Sequence, residues 1–400
     1  MRIIVQIGHY KCGTSALQRR FADHRDLLRA QGLVYPDLGP LLEPDGRDVP
    51  SHSMLPFEML VARGAPGPPW YRQAKQRTPH PPTLEMVRER LLTAIDGAGE
   101  CDVFISSEEF MRFGESERTE GMVDEFAELI AGHPTTIFCY LRRHDLYLAS
   151  WYNQLVKMGG QASNLSRTIN SYLTGIHVDY AMALRPWVER FGREHFLIRR
   201  YEDREGDVSE DVLRHVGIEP AFPRGSAVWE NPRFPDLYVE TLRRWNQLPM
   251  PPRATAELTR LMRREALRGE QAETKVDVLT PGARKLLHAR AVEVDVELTE
   301  LLGLDTSLFP DIDEILRPIP DSIDDFAAHA KWGPGILNEL LDAFAQLPAQ
   351  PADETPPDPA ATLEAGPPRR PMDTARSVID SARAWTARAF RRAERRWKTR

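Results

Sequence analysis

The sequence predicts a three-layer α/β fold with a central, mostly parallel sheet, followed by a helical C-terminal portion. Residues 3–7 (IIVQI) form an almost continuous apolar, β-branched run, which is typical of a strand buried on both faces. Strand-like runs then alternate with helical patterns as far as about residue 222, and this alternation indicates a doubly wound sheet. From about residue 232 to 345 the pattern is helical, without clear strands.

The remaining elements follow the first strand in a regular order. Residues 8–13 predict a loop and residues 14–31 a helix, which ends at Gly32 because glycine readily takes the left-handed conformation beyond a helix. The stretch 36–82 is rich in proline and weakly periodic, so we expect a long surface excursion beside the site. Further strands are predicted at 102–106, 136–141 and 196–199, and further helices at 83–97, 121–131, 144–158 and 179–191.

The composition of the chain limits the classes of protein to which it can belong. Its 400 residues are 42% hydrophobic and 28% charged, which is typical of a soluble globular protein. No run of about 18 apolar residues is present to predict a membrane-spanning helix. The three cysteines, Cys12, Cys101 and Cys139, are too sparse for a disulfide framework, which favours a reducing cytoplasm. No His/Cys cluster has the spacing of metal ligands, so we expect no metal.

The charge of the chain is uneven. A net charge of −7 argues against nucleic acid as a partner, yet residues 373–400 carry nine Lys/Arg and three Asp/Glu, a balance of +6. Residues 346–371 are proline-rich and predict a flexible linker. Residues 372–400 predict a basic amphipathic helix with Trp385 and Trp397 on one side. Such a helix can lie on an anionic membrane surface, pack on its own domain, or remain a disordered tail.

The N-terminal end of the chain predicts a cytoplasmic location. The first strand-like run starts directly after Met1, which leaves no room for a secretory signal. Together with the basic segment at 372–400, this predicts a cytoplasmic protein with peripheral contact to the inner membrane face as one alternative.

The loop after the first strand has the pattern of a phosphate site. It reads GHYKCGTS over residues 8–15 and leads into the first helix, whose N-terminal N–H groups and dipole attract an anion. The pattern is close to GxxxxGK[ST], but Thr14 stands where the lysine belongs and the cation is at Lys11. The alternative is an ordinary glycine turn with a solvent-exposed lysine.

A second segment, YLRRHDLYLASWYNQ over residues 140–154, combines basic and hydroxyl side chains. A buried strand ends at Arg142, and Ser150 follows eight positions later in the next helix. An arginine supplies a forked, charge-assisted pair of donors and a serine a neutral donor, so together they can hold a phosphate. An exposed arginine pair beside a helix serine is the other interpretation.

Taken together, the two segments resemble the PAPS-dependent sulfotransferases, especially their bacterial branch (PAPS is 3′-phosphoadenosine 5′-phosphosulfate). Lys11–Ser15 matches the family's K-[TS]-G-T-[TS] loop, with Cys12 in place of the usual Thr or Ser, and Arg142 and Ser150 match its R-x7-S element. Tyr201, at the start of a Tyr-Glu-Asp segment, resembles the family's adenine-contacting tyrosine. The family's late Arg-Lys-Gly element is not seen. The resemblance covers about residues 1–250.

This resemblance implies a P-loop-like sulfotransferase domain over residues 1–345, with a nucleotide-binding core at about 1–222 and a helical portion at about 232–345. PAPS would be the co-substrate, without a metal. The residues implied to bind it are Lys11, Cys12, Gly13, Thr14 and Ser15 at the 5′-phosphosulfate, Arg142 and Ser150 at the 3′-phosphate, and Tyr201 at the adenine.

The catalytic residues implied by the resemblance are Lys11 and a general base. Lys11 would stabilise charge on the bridging oxygen. Glu108 is the first candidate base because it follows the strand at 102–106, at the carboxyl edge of the sheet where ligands bind. Its alternative role is a solvated carboxylate at a helix start. His52, in the excursion at 36–82, is the second candidate base, and a structural or exposed histidine is its alternative.

Three functions remain open from the sequence. The first is transfer of a sulfuryl group from PAPS to a hydroxyl or amine acceptor, for which location favours a saccharide or glycolipid. The second is an ATP-dependent kinase on a P-loop fold, against which Thr14 in the lysine position argues. The third is a non-catalytic scaffold that keeps a nucleotide site. The acceptor and the oligomeric state are not encoded in any motif of the chain.

Overall fold

The structure is a computed structural model, and it describes residues 1–319 apart from 44–45, 47, 66, 160–162, 221, 224–233, 248–254, 256–257 and 264–276. The predicted linker at 346–371 and basic helix at 372–400 lie outside the described residues, as does the end of the predicted helical portion. Within the described part, no helix has both the length and the apolar content needed to cross a membrane.

A parallel sheet organises the first part of the chain. Over the described residues it has five strands in the order β2-β3-β1-β4-β5, and each neighbouring pair is parallel. The strands are β1 (Ile3–Gly8), β2 (Leu33–Val34), β3 (Asp102–Ser106), β4 (Thr135–Leu141) and β5 (Phe196–Arg200). The order places β1 in the centre, where Val5 lies opposite Ile105 on one side and Ile137 on the other.

Both faces of the sheet are buried, which accounts for the apolar run at residues 3–7. Ile3, Val5 and Ile7 pack into one hydrophobic cluster and Ile4 into another, on the opposite face, because side chains alternate along a strand. A sheet covered on both sides by helices is the predicted three-layer α/β, P-loop-like fold, which is confirmed.

The helices alternate with the strands. They are α1 (Thr14–Asp23), α2 (Arg25–Ala30), α3 (Met54–Ala62), α4 (Pro69–Arg77), α5 (Leu84–Asp96), α6 (Met122–Leu129), α7 (His144–Lys157), α8 (Leu165–Thr168), α9 (Tyr180–Phe191), α10 (Val208–His215), α11 (Asp236–Trp245) and α12 (Pro281–Leu302). The helices predicted at 83–97, 121–131, 144–158 and 179–191 are confirmed within a few residues, as are the four predicted strands.

Two local features differ from the prediction. The helix predicted at 14–31 is divided, because the ring of His24 donates to the carbonyl of Arg20 at 2.8 Å and occupies the acceptor that would continue α1. Strand β2 was not predicted, since two residues are too few to show a period. It forms where Gly32, at a φ of 87°, turns the chain so that Leu33 pairs with Asp102.

The stretch 36–82 is not the surface excursion that its prolines suggested. It contains α3 and α4, and the side chains of Leu55, Phe57 and Leu60 are almost fully buried in the same cluster as Ile3. The prediction was wrong because α3 has apolar residues on every side and buries its one charged residue, Glu58, so it has no amphipathic period to detect.

Contacts divide the chain into two compact units. The first comprises residues 1–151, 165–231 and 279–318, and the second comprises 152–164, 232–278 and 319–400. The sheet unit therefore includes α12, whose Arg290 pairs with Asp179 at 2.5 Å. It also includes Asp311, which binds Arg143 and Arg200, each at 2.5 Å. In the second unit, α11 contains the buried side chains Tyr238 and Leu242.

Candidate active site

The sequence-predicted residues meet at the carboxyl edge of the sheet. Lys11 follows β1, Glu108 follows β3, Arg142 follows β4 and Tyr201 follows β5. These four strands are neighbours in the order β3-β1-β4-β5, and parallel strands present their carboxyl ends at one edge. The topology therefore gathers side chains that are up to 190 positions apart (Lys11 to Tyr201) in one place.

The loop after β1 has the shape of an anion cradle. Gly13 takes the left-handed conformation, with a φ of 76°, and directly precedes α1, so the first N–H groups of that helix face the end of β1. Lys11 also has a positive φ, of 62°, which few residues other than glycine adopt. Strain of this kind is concentrated at functional loops. Thr14 is buried at the helix start, whereas Ser15 is exposed.

Cys12 has a different surrounding from its neighbours in the loop. Its side chain is fully buried in the apolar cluster that also holds Leu17 and Phe21. Burial raises the pKa of the thiol to about 12, so it is neither charged nor reactive at neutral pH. Cys12 therefore offers only its backbone to a ligand, and the usual Thr or Ser hydroxyl of the motif is missing here.

Charged groups that follow two other strands influence the pKa of Lys11. Burial lowers the pKa of Lys11, the Glu108 carboxylate opposes this shift, and the Arg142 guanidinium adds to it. Electrostatic influence of this kind needs close approach, since charges are screened over about 10 Å in water. The Lys11 loop, Glu108 and the Arg142 segment thus lie at one site.

Tyr201 connects the loop to the end of β4. A Cβ atom placed on Gly13 would lie 3.2 Å from the Tyr201 hydroxyl oxygen and 3.2 Å from Cγ1 of Val208, which is tighter than most Cβ contacts, so glycine favours this approach. The guanidinium of Arg142 lies 5.3 Å from the centre of the Tyr201 ring, and that of Arg204 lies 4.1 Å from it. Two cations therefore border the ring that was predicted to contact adenine.

Arg142 is held from one side. Its Nε donates to Glu202 Oε1 at 2.8 Å, and within the described residues its two terminal nitrogens make no hydrogen bond. That arrangement presents the forked end of the guanidinium to a ligand. Ser150 lies half-buried on α7, and no hydrogen bond joins it to Arg142 in the described part of the chain.

Glu108 is fixed by a buried polar chain. It starts a short 3₁₀ turn after β3, capped by Ser107, and accepts from Gln18 Nε2 at 3.1 Å. The same Gln18 nitrogen is 3.1 Å from Ser106 Oγ. Gln18 was not predicted as a site residue, although it lies one turn after Thr14 on α1, where its side chain returns toward the loop.

Glu109 is a second carboxyl group that the sequence analysis missed. It is 9% exposed and accepts from the Tyr10 hydroxyl at 2.9 Å. Burial and then the charge of Glu108 raise the pKa of Glu109 to about 8, so the group changes charge near neutral pH. The adjacent acids in the sequence were the only signal, and they do not show which of the two is buried.

His52, the second candidate base, has no ring nitrogen left for proton abstraction. Its Nδ1 accepts from the Ser106 backbone N–H at 2.9 Å, and its Nε2 donates to the Pro36 carbonyl at 2.9 Å. Burial lowers its pKa to about 4, so the ring stays neutral. The geometry gives His52 a structural role, and we drop it as a candidate base.

Similarity to known proteins is limited. No known protein-family profile matches the sequence. The chain is 29% identical over 148 residues to an uncharacterized protein of Archaeoglobus fulgidus, an alignment that covers 36% of this chain and 38% of the length of that relative. The structure is similar to the crystal structure of a sulfotransferase from Alicyclobacillus acidocaldarius, with a TM-score of 0.43, 15% identity, and coverage of 76% of this chain and 97% of that one.

Among the residues described, no group of three or more His, Cys, Asp or Glu side chains is arranged to hold a metal ion.

Proposed function

We propose that this protein is a sulfotransferase that moves a sulfuryl group from PAPS to an acceptor hydroxyl and releases PAP, the 3′,5′-bisphosphate. One observation carries the proposal: the loop containing Lys11 and Gly13 lies beside Arg142 and Tyr201, which come from the next two strands. A nucleotide with anionic groups at both its 5′ and 3′ positions requires two separate cationic anchors, and this edge supplies them.

The proposal gives each group at this edge of the sheet a role. The N–H groups at the start of α1, with Thr14 and Ser15, hold the 5′-phosphate, and Arg142 with Ser150 holds the 3′-phosphate. Glu108 takes the proton of the acceptor hydroxyl. The acceptor oxygen forms a bond to sulfur, and the sulfur–oxygen bond to the 5′-phosphate breaks with its electron pair on PAP. Lys11 stabilises that developing charge.

Calorimetry with PAP, 5′-AMP and ATP tests the nucleotide part of the proposal. We expect the wild-type protein to bind PAP at least tenfold more tightly than 5′-AMP, without Mg²⁺, because the 3′-phosphate adds charge-assisted hydrogen bonds of about 1.5–3 kcal/mol. Arg142→Ala is expected to remove this preference, and Lys11→Ala to weaken all three ligands. Tight ATP binding that is indifferent to a 3′-phosphate would contradict the proposal and favour the kinase.

Transfer of label from ³⁵S-PAPS into fractionated extract tests the catalytic part. Label is expected in an acceptor fraction with the wild-type protein and not with Lys11→Ala. If PAP binds tightly and no fraction becomes labelled under any condition, the non-catalytic scaffold is the better description.

A further inference from the structure

Three aromatic rings from separate elements form a cluster beside the Lys11 loop. They are Tyr10 of the loop, Trp151 of α7 and His177 before α9, and each is half-buried. Trp151 and His177 are stacked, with ring centres 4.7 Å apart and an angle of 29°. The Tyr10 ring lies 5.3 Å from Trp151 and 6.2 Å from His177. We call these three rings the aromatic platform.

Polar groups border the aromatic platform. Tyr10 donates its hydroxyl proton to the Glu109 carboxyl group at 2.9 Å, and Arg112 lies 3.9 Å from the same carboxyl group. His177 shares a 2.6 Å hydrogen bond through Nδ1 with Tyr147. Its Nε2 makes no hydrogen bond within the described residues. Burial lowers the pKa of His177 to about 3, so the ring is a neutral hydrogen-bonding group.

The aromatic platform lies next to the proposed reaction centre. Tyr10 directly precedes Lys11, and Glu109, its hydrogen-bond partner, directly follows Glu108. A molecule resting on the rings would therefore lie beside the segments that carry the proposed base and Lys11.

We propose that the aromatic platform is the acceptor subsite and that it takes an uncharged pyranose ring of a saccharide. This inference rests on the proposed function. A pyranose has an apolar C–H face, which packs on aromatic rings, and a rim of hydroxyls, each of which needs a partner. Around the rings, Glu109 can accept a hydrogen bond, Arg112 can donate one from a charged group, and His177 offers a neutral ring nitrogen. A molecule with several hydroxyls needs both donors and acceptors of this kind.

A phenol fits this surface less well. It has one hydroxyl, so it would use fewer of the polar groups around the rings than a pyranose does.

Saturation-transfer NMR on the full chain loaded with PAP tests the inference, with methyl β-glucopyranoside, methyl β-galactopyranoside and p-cresol as probes. We expect saturation at the ring protons of one or both pyranosides with the wild-type protein. Trp151→Ala is expected to reduce that signal at least fivefold, and Trp70→Ala, which changes a half-buried tryptophan packed against α3, to leave it unchanged. Saturation of p-cresol alone, or equal loss in both variants, would overturn the proposal.

A replacement variant and a second measurement make the result unambiguous. If Trp151→Ala fails to fold, His177→Ala replaces it, and the absence of any pyranoside signal with the wild-type protein overturns the inference without any variant. PAP binding is measured by calorimetry on the same samples. A pyranoside signal without PAP binding contradicts the proposed function and not the subsite, whereas PAP binding without a pyranoside signal contradicts the subsite alone.

Discussion

At the scale of single residues, adjacent arginines have different surroundings. Arg143 has its guanidinium occupied by Asp145 and Asp311, whereas Arg142 has one carboxylate partner, at Nε. The first is a structural ion-pair network that ties α12 and its following turn to the end of β4. The second leaves donors for a ligand. Sequence alone cannot separate the two, because the carboxylates that distinguish them are as many as 168 positions away.

The forked geometry of Arg142 leads to a prediction for a conservative substitution. Arg142→Lys keeps the positive charge but lacks the planar fork, so it cannot both bind Glu202 and present two donors to a phosphate. We expect it to weaken PAP binding about tenfold and to leave 5′-AMP binding unchanged. Calorimetry with the two nucleotides measures this.

Arg143→Lys is the matched control for that substitution. It alters the neighbouring guanidinium, which the carboxylates of Asp145 and Asp311 already occupy, and we expect it to preserve the ratio of PAP to 5′-AMP affinity. Equal losses of both nucleotides in Arg142→Lys would mean that Arg142 does not contact the 3′-phosphate.

At the scale of elements, the close approach of the loop after β1 to the end of β5 depends on Gly13. Gly13→Ala would combine an unfavourable φ of 76° with Cβ contacts of 3.2 Å to Tyr201 and Val208. We expect it to lower the free energy of unfolding by about 2–3 kcal/mol and to weaken PAP binding at least tenfold. Urea denaturation and calorimetry measure the two effects.

Gly32→Ala is the control that measures how much stability is lost through the unfavourable φ alone. Gly32 has a similar φ, of 87°, and no atom lies within 4 Å of an added Cβ. The expected loss is about 1 kcal/mol with unchanged PAP affinity. If both alanine variants lost equal stability and kept PAP binding, the Gly13–Tyr201 approach would not be part of the site.

The elements also show why sequence reasoning succeeded in one region and failed in another. A strand buried on both faces leaves a short continuous apolar run, and an amphipathic helix leaves a period of about 3.6 residues, so β1 and α7 could be predicted from residues 3–7 and 144–158. The two-residue strand β2 is too short to leave either signal, and α3 has no amphipathic period because it buries its one charged residue, Glu58, among apolar ones. The sequence predicted those site residues that belong to a motif. It did not predict Gln18 and Glu109, because their place in the site depends on packing between segments that are distant in the chain.

At the scale of the whole molecule, burial of histidines makes stability depend on pH. Burial is the largest cause that lowers the pKa of His9, His52 and His144 to about 4 and of His177 to about 3. The unfolded chain binds these protons near pH 6.5 and the folded chain does not. Because the unfolded state then carries more protons, the stability that these four histidines contribute is fully present above pH 6.5 and is lost as the pH falls toward 4.

We therefore expect the free energy of unfolding to decrease steeply between pH 6.5 and 5, above the range in which most carboxylates titrate. Each such histidine contributes up to about 1.4 kcal/mol per pH unit, and Glu109, whose pKa is raised to about 8, offsets one of the four over this window. His52→Gln is expected to make the slope shallower, since it removes one of these groups, and His80→Gln, which changes an exposed histidine, to leave the slope as in the wild type. Urea denaturation at half-unit pH steps measures the slopes. A flat wild-type profile over this window would mean that the four rings are solvated or already charged in the folded protein. His177 could then no longer be described as a neutral group of the aromatic platform.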